Sequence, residues 1–208
     1  NDGKADNDLY RSPDFQLSDK FSLQTDTSTY FLTVNTTGPN KRFVNTPNNV
    51  AGNSLPAEPY FIDKVGSYQK TQINPGYAVV VGEYVYSSSY DKGEGWASFD
   101  LTPQLNVAAS FDALNVYPGG PDPVLSFTAT GKAINPRTIK VSVNGDTVVS
   151  TSLDYFDMIK VDSTFPIAKI AGTDKALISV KNNAAVSSDR MVVGQIELND
   201  RGKFNLGG

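Results

Sequence analysis

Hydrophobic and polar residues alternate with a period of two at several places in the C-terminal half of this chain. The clearest case is segment 139–143, Ile-Lys-Val-Ser-Val, whose β-branched residues point to one face and whose polar residues point to the other. Asn144-Gly145 follows directly, and this dipeptide supplies the positive φ angles of a two-residue hairpin turn. The pattern therefore predicts a β-hairpin centred on Asn144 and Gly145.

Strand-like segments separated by turn residues recur from residue 98 onward, mostly at intervals of roughly 8–12 residues. This spacing is typical of a β-sandwich. No segment shows the 3.6-residue period of an amphipathic helix. The predicted strands are 98–101, 107–111, 124–130, 138–143, 147–152, 157–161, 167–170, 176–181 and 191–198.

The N-terminal half contains shorter strand candidates at 29–34, 42–44, 60–64, 68–73 and 78–86. The intervening stretch 45–59 is rich in proline and asparagine and predicts a loop. We therefore expect an all-β chain, with a smaller N-terminal β lobe over residues 1–90 and a jelly-roll-like β-sandwich over residues 91–208. A sandwich that begins as early as Pro59 is the alternative.

Composition narrows the chemistry that the 208 residues can perform. There is no cysteine and no histidine, so thiol or imidazole nucleophile systems and structural zinc sites are excluded. The net charge is −4 and basic clusters are lacking, which argues against nucleic acid as a partner. Carboxylates remain as catalytic groups, with Glu83, Asp91, Glu94 and Glu197 as the notable ones, but nothing in the sequence sets the spacing a glycosidase needs.

No apolar run approaches the ~18 residues that span a membrane. The chain also lacks a charged and then apolar leader at its start, so we expect any signal peptide to have been removed already. A Ser-, Thr- and Asn-rich chain without cysteine is common among exported bacterial proteins; these three residue types number 52 of 208. We therefore expect an exported protein without a transmembrane segment.

Aromatic side chains are the first candidates for ligand binding. Trp96, Tyr90 and Tyr117 have the apolar rings and polar tips that suit stacking on sugar rings. Packing into a sandwich core is the more common role for such residues, and the sequence leaves both roles open.

Aspartates in the predicted sandwich loops are the second candidates. Asp112, Asp122 and Asp189 carry the hard oxygen ligands that calcium prefers, as does Asp157. Turn formation is the more common role of such aspartates. Calcium is therefore the one cofactor that the sequence leaves open.

Several stretches, taken in order, resemble the non-catalytic β region that precedes the caspase-like domain of gingipain-like proteins. This family includes the signal peptidases (sortases) of the type IX secretion system and related large surface proteins of Bacteroidetes. The resemblance extends over most of the chain. The stretches are 1–10, 25–33, Tyr90-Asp91-Lys92-Gly93-Glu94-Gly95-Trp96, Val141-Ser142-Val143-Asn144-Gly145 and 195–201.

The resemblance implies a non-catalytic structural and interaction module of a larger exported protein, whose adjacent peptidase-like domain would follow residue 208. It also implies a secreted or outer-membrane cell-surface location. No catalytic residue carries over, so we expect the chain not to be an enzyme by itself. Two alternatives stay open. One is a jelly-roll carbohydrate-binding module that uses exposed aromatic residues, and the other is an adhesin or assembly module that binds a surface protein.

Overall fold

Two antiparallel four-stranded sheets packed face to face form the body of the molecule. The computed structural model describes residues 17–18, 31–34, 36–38, 51–52, 56–74, 77–80, 83–86 and 93–204. The strands are β1 (Phe61–Tyr68), β2 (Gln72–Asn74), β3 (Tyr77–Val80), β4 (Glu83–Tyr86), β5 (Gly95–Ala97), β6 (Asn106–Phe111), β7 (Val124–Gly131), β8 (Pro136–Val143), β9 (Asp146–Asp154), β10 (Met158–Thr164), β11 (Ala176–Asn182) and β12 (Met191–Gly202), and the helix is α1 (Ala168–Ala171).

The first sheet has the order β1-β12-β7-β10 and the second has the order β6-β11-β8-β9. β2 pairs with β5 and β3 pairs with β4 in two small additional sheets. The all-β, jelly-roll-like architecture is thus confirmed. In the described part of the chain, no helix has the length and apolar character needed to cross a membrane.

The main core lies between the two large sheets and is built from the alternating inward positions of their strands. Its largest fully buried members include Phe127, Leu125, Ile139, Ile178 and Leu198. β8 alternates buried with less buried residues along its whole length, as the period-two pattern predicts. Asn144 and Gly145 have φ angles of 50° and 93°, so the predicted hairpin turn between β8 and β9 is also confirmed.

A second, smaller core lies on one face of β12, away from the main one. Leu17 is fully buried there against Ala97, Met158 and Val192. Thr128 donates its hydroxyl proton to the Leu17 carbonyl at 2.6 Å. Gly194 forms a bulge in β12 at this point, and a Cβ on it would lie 2.6 Å from the Leu17 carbonyl oxygen. The N-terminal segment therefore packs directly on the sandwich at Leu17.

Five strand predictions are corrected by the structure. Segment 98–101 is irregular apart from an isolated bridge between Leu101 and Met191, and segment 68–73 is interrupted between the end of β1 and the start of β2. Residues 31–34 are irregular and highly exposed rather than part of a strand 29–34, because no described strand pairs with them. Segment 167–170 forms the short helix α1, which follows Pro166, whose carbonyl accepts the Lys169 N–H. Segment 78–86 is divided into β3 and β4, which pair antiparallel with Val80 opposite Glu83.

Strand β1 belongs to the first sheet of the sandwich, although it precedes residue 91. It pairs with β12 over its full length, from Phe61 opposite Gly202 to Tyr68 opposite Gln195. This pairing agrees with a sandwich that begins near Pro59. The division into a lobe over residues 1–90 and a sandwich over residues 91–208 stays a prediction. The strand predicted at 42–44 lies outside the described residues.

Candidate functional site

A buried ion pair occupies the end of the sandwich where β12 begins. Arg137 and Asp189 have fully buried side chains, and Arg137 Nε lies 2.9 Å from Asp189 Oδ2 while Nη2 lies 2.9 Å from Oδ1. The Asn182 side-chain amide donates to Asp189 Oδ2 at 2.9 Å and to the Leu101 carbonyl at 2.9 Å. Arg137 also donates to the carbonyl groups of Ala133, Leu153 and Tyr155.

The three aspartates predicted as calcium ligands do not form one site. Asp189 belongs to the buried network just described. Asp112 is paired with Lys175 at 2.9 Å, and the hydrogen bond from this ammonium lowers the pKa of the Asp112 carboxyl. Asp122 accepts the backbone N–H of Ile167 at 2.9 Å. Among the described residues, no group of three or more acidic side chains is arranged to hold a metal ion.

The predicted aromatic ligands are also separated. Ser98 is hydrogen-bonded to the Val193 carbonyl, whereas Tyr117 is hydrogen-bonded to the Arg201 carbonyl. Val193 and Arg201 are eight residue steps apart along β12, a distance of roughly 26 Å at the rise of a strand. Trp96, two residues before Ser98, therefore cannot share a binding platform with Tyr117. Tyr90 lies outside the described residues.

Trp96 lies on β5, opposite Ile73 of β2. Its side chain is half-buried, and the Lys70 ammonium lies 5.4 Å from its ring centroid. This arrangement is a cation–π contact at a partly exposed position.

Glu197 is buried, whereas Glu94, the other acidic residue considered for catalysis whose side chain is described, is half-buried. The Tyr68 hydroxyl donates to Glu197 Oε1 at 2.5 Å, and the Lys64 ammonium lies 2.9 Å from Oε2. On the outer face of the β1–β12 pair, the ammonium therefore balances the charge of the carboxylate and the hydroxyl gives it a hydrogen bond. Asp91 lies outside the described residues, and so does the side chain of Glu83.

Four aromatic rings gather at the opposite end of the sandwich, where β1 begins and β12 ends. We define the aromatic end as Tyr60, Phe61, Tyr117 and Phe204. The Tyr60 and Tyr117 rings are stacked with centroids 5.7 Å apart, and those of Phe61 and Phe204 lie 5.6 Å apart. Phe61 and Phe204 are 38% and 53% exposed, so this end presents apolar surface to solvent.

Two carboxylates lie beside the aromatic end. Asp63 on β1 is directly opposite Asp200 on β12, so the two side chains share one face of the sheet. Asp200 is completely buried, and neither of its carboxylate oxygens has a hydrogen-bond partner among the described residues. Burial and then the charge of Asp63 raise the pKa of Asp200 to about 6.

Sequence reasoning found Tyr117 but missed the other members of this end. The signal for Asp200 is present in the sequence, because Ile196, Leu198 and Asp200 occupy successive positions on one face of a strand. A carboxylate on the apolar face of a strand breaks the binary pattern and marks a position to examine. Its neighbour Asp63 became visible only with the pairing of β1 and β12.

Comparisons with known proteins describe the fold alone. No protein-family model matches the chain, and no curated protein sequence matches it. Dimeric latent PorU from Porphyromonas gingivalis shows 10% identity and a TM-score of 0.49 over 70% of this chain and 13% of PorU. The carbohydrate-binding module CBM36, in complex with calcium and xylotriose, shows 15% identity and a TM-score of 0.40 over 65% of this chain and 98% of the module.

A family 35 carbohydrate-binding module from Clostridium thermocellum shows 11% identity and a TM-score of 0.34, over 67% of this chain and 90% of the module. Each of these three structures contains a β-sandwich. The match spans only a small fraction of the length of PorU.

Proposed function

We propose that this chain is a non-catalytic interaction module that contacts a neighbouring domain of a larger exported protein through its aromatic end. The observation that carries the proposal is the pair Phe61 and Phe204, whose rings contact each other and still remain more than a third exposed. Clustered, solvent-exposed aromatic residues are enriched at surfaces that bind other proteins.

Two buried carboxylates elsewhere in the described part of the chain support a structural role. The carboxylates of Asp189 and Glu197 are neutralised by Arg137 and by Lys64 with Tyr68, respectively. Such pairs hold strands and loops in place and leave no carboxylate free for proton transfer at those positions. Rigid placement of a surface is what a positioning module requires.

The resemblance to gingipain-like proteins suggests a peptidase-like domain as the neighbour and the bacterial cell surface as the location. Hydrogen–deuterium exchange on the isolated chain and on the full-length gene product tests this proposal. We expect amides at the start of β1 and in segment 115–120 to exchange more slowly in the longer protein. The β9–β10 turn should exchange equally in both, because the Tyr155 carbonyl in this turn accepts a hydrogen bond from Arg137 at the opposite end of the sandwich.

Variants of the full-length gene product sharpen this test. Phe61→Ser combined with Phe204→Ser should abolish the added protection, whereas Phe99→Ser, a change at another exposed aromatic residue, should leave it intact. Equal exchange in the isolated and full-length proteins would overturn the proposal. Hydrolysis of a peptide or glycoside by the isolated chain, lost on substitution of one carboxylate, would overturn its non-catalytic part.

Glycan binding is the second candidate function, and the Tyr60–Tyr117 stack favours it. Both rings are half-buried, so each combines a fixed orientation with some accessible surface. A glycan array and a polysaccharide pull-down, each with and without calcium, test this function. Tyr117→Ala should remove binding, and Trp96→Ala, at the other end of β12, should retain it. Absence of binding across the panel, or loss in Trp96→Ala alone, would contradict a glycan site at this stack.

A further inference from the structure

The pairing of β1 with β12 places two acidic side chains directly opposite each other. Residues opposite each other in an antiparallel pair have Cβ atoms about 4.5–5.5 Å apart, and like charges in such a pair destabilise the sheet. Asp63 and Asp200 occupy these positions. The strand pairing alone therefore favours a positively charged group between them.

Asp200 adds an independent observation, because no other described residue donates a hydrogen bond to its carboxylate. Three acidic side chains are buried in the described part of the chain: Asp189, Glu197 and Asp200. Protein donors neutralise the first two, while both oxygens of Asp200 are buried without a hydrogen bond. A buried carboxylate without a donor or a cation is strongly disfavoured.

The nearby basic side chains are engaged elsewhere. Arg201 donates to the Asn199 side-chain oxygen at 3.1 Å and to the Asp200 backbone carbonyl at 3.2 Å, rather than to the Asp200 carboxylate. Lys64 points to Glu197 on the other face of the sheet. The positive charge that would neutralise Asp63 and Asp200 is therefore not supplied by either of these side chains.

We propose that Asp63 and Asp200 form a binding site for a divalent cation of the calcium class beside the aromatic end. Calcium prefers oxygen ligands and accepts carboxylates together with backbone carbonyl groups and water. The two ionised carboxylates together carry a charge of −2, which balances the charge of +2 on the ion. A bound ion would link β1 to β12, the first and last strands along the chain. This role does not depend on whether the aromatic end binds a partner.

Calorimetric titration of the intact chain with calcium chloride at pH 7.5, after treatment with a chelator, tests the site. Thermal unfolding in calcium and in EDTA gives a second readout. We expect one ion to bind with a Kd below about 1 mM and to raise Tm, since a ligand of the folded state stabilises it. Asp200→Asn and Asp63→Asn should each weaken binding at least tenfold and remove the calcium-dependent rise in Tm.

Asp112→Asn is the matched control, because Asp112 is an exposed aspartate that already has Lys175 as its partner. Its titration and its rise in Tm should equal those of the unmodified chain. No binding of calcium to the unmodified chain would overturn the proposal and leave a shared proton as the neutralising group. Calcium binding that survives in both Asp63→Asn and Asp200→Asn would overturn it equally.

Discussion

Asp189 and Asp200 lie near the two ends of β12, and both are completely buried. At the start of the strand, Asp189 accepts a bidentate pair of hydrogen bonds from the Arg137 guanidinium and a further hydrogen bond from Asn182. At the other end, Asp200 receives no hydrogen bond from another residue in the described part of the chain, and it faces a second carboxylate. The same residue type at the same burial therefore has opposite consequences, which depend on the groups that the neighbouring strands bring to it.

This difference indicates which end of the molecule is built for stability and which for binding. A buried carboxylate with all its hydrogen bonds made fixes the loops that supply its donors. A buried carboxylate without donors lowers stability unless a ligand completes it. Functional sites are where folded proteins tolerate such incomplete interactions, so the end that contains Asp200 is the better candidate for a site.

The largest expected loss of stability comes from removing the donors that Arg137 supplies to Asp189, which would leave the charge of Asp189 buried without an ion pair. Arg137→Met keeps the length of the side chain but removes every donor it supplies to Asp189 and to three carbonyl groups. Removing one partner of a buried pair destabilises proteins by about 3–5 kcal/mol, because the other charge stays buried. Denaturant unfolding should show a loss of this size.

The partner substitution identifies the cause of that loss. Arg137→Met combined with Asp189→Asn removes the uncompensated charge and should recover part of the lost stability. Lys169→Met, which breaks the exposed pair with Asp146, should cost less than about 0.5 kcal/mol. A loss below about 1 kcal/mol for Arg137→Met would show that the two ends of β12 differ less than their contacts indicate.

A glycine beside Arg137 provides a steric test of the same network. A Cβ added to Gly131 would lie 1.8 Å from the Tyr155 carbonyl oxygen and 2.0 Å from Arg137 Nη1. Gly131→Ala should therefore displace the guanidinium and lower the free energy of unfolding by about 3 kcal/mol. In Gly172→Ala the added methyl group meets open space, so this change should hardly alter the free energy of unfolding. Denaturant unfolding of both variants measures the difference. Equal effects of the two changes would contradict the tight packing around Arg137.

The contrast also shows how far the sequence determines the structure. The β8–β9 turn was predictable because Asn144-Gly145 specifies its backbone locally. Segment 167–170 was not, since its isoleucines suit a strand as well as a helix, and the turn that starts at Pro166 decides between them. Residues 31–34 show that strand-like composition without a partner strand does not produce a strand.

The candidate site depends on pairings between residues distant in sequence, which is why most of it escaped prediction. Tyr117 was proposed from its chemistry, but its stack with Tyr60 forms because segment 115–117 lies against the end of β12, and Tyr60 directly precedes β1, which pairs with that same end. Asp63 and Asp200 meet only because β1 pairs with the last strand in one register. A shift of one residue would place them on opposite faces, and no single segment of the sequence specifies that register.

The N-terminal segment adds a test at the start of β12. Leu17 is fully buried in the small cluster with Met158 and Val192, so truncation of its isobutyl side chain to a methyl group would leave a cavity. Leu17→Ala should lower the free energy of unfolding by about 2 kcal/mol if this cluster unfolds together with the main core. Leu105→Ala, at a residue that is 45% exposed, is the control and should cost much less. Two separate unfolding transitions would instead show that the segment is an independent unit.

The smallest expected effect is a gain rather than a loss in the free energy of unfolding. It concerns Asp200 in the absence of metal. Its folded-state pKa of about 6 exceeds the ordinary 3.8, so the folded protein holds the proton more tightly than the unfolded chain. Stability from this group is complete below about pH 3.8 and is lost as pH rises through about 6. Burial is the main cause of the raised pKa, the charge of Asp63 adds to it, and the charge of Arg201 opposes it. Asp200→Asn removes this loss and should gain about 1–2 kcal/mol at pH 7.5 in EDTA.

The gain from Asp200→Asn should vanish near pH 4, where the unmodified carboxyl is already neutral. Denaturant unfolding across pH 4 to 8 in EDTA measures both limits. Asp112→Asn should not show such a gain at neutral pH, because its partner Lys175 lowers the pKa of Asp112 rather than raising it. If Asp200→Asn is instead less stable than the unmodified chain at pH 7.5 in EDTA, Asp200 has a partner there after all, and its contrast with Asp189 disappears.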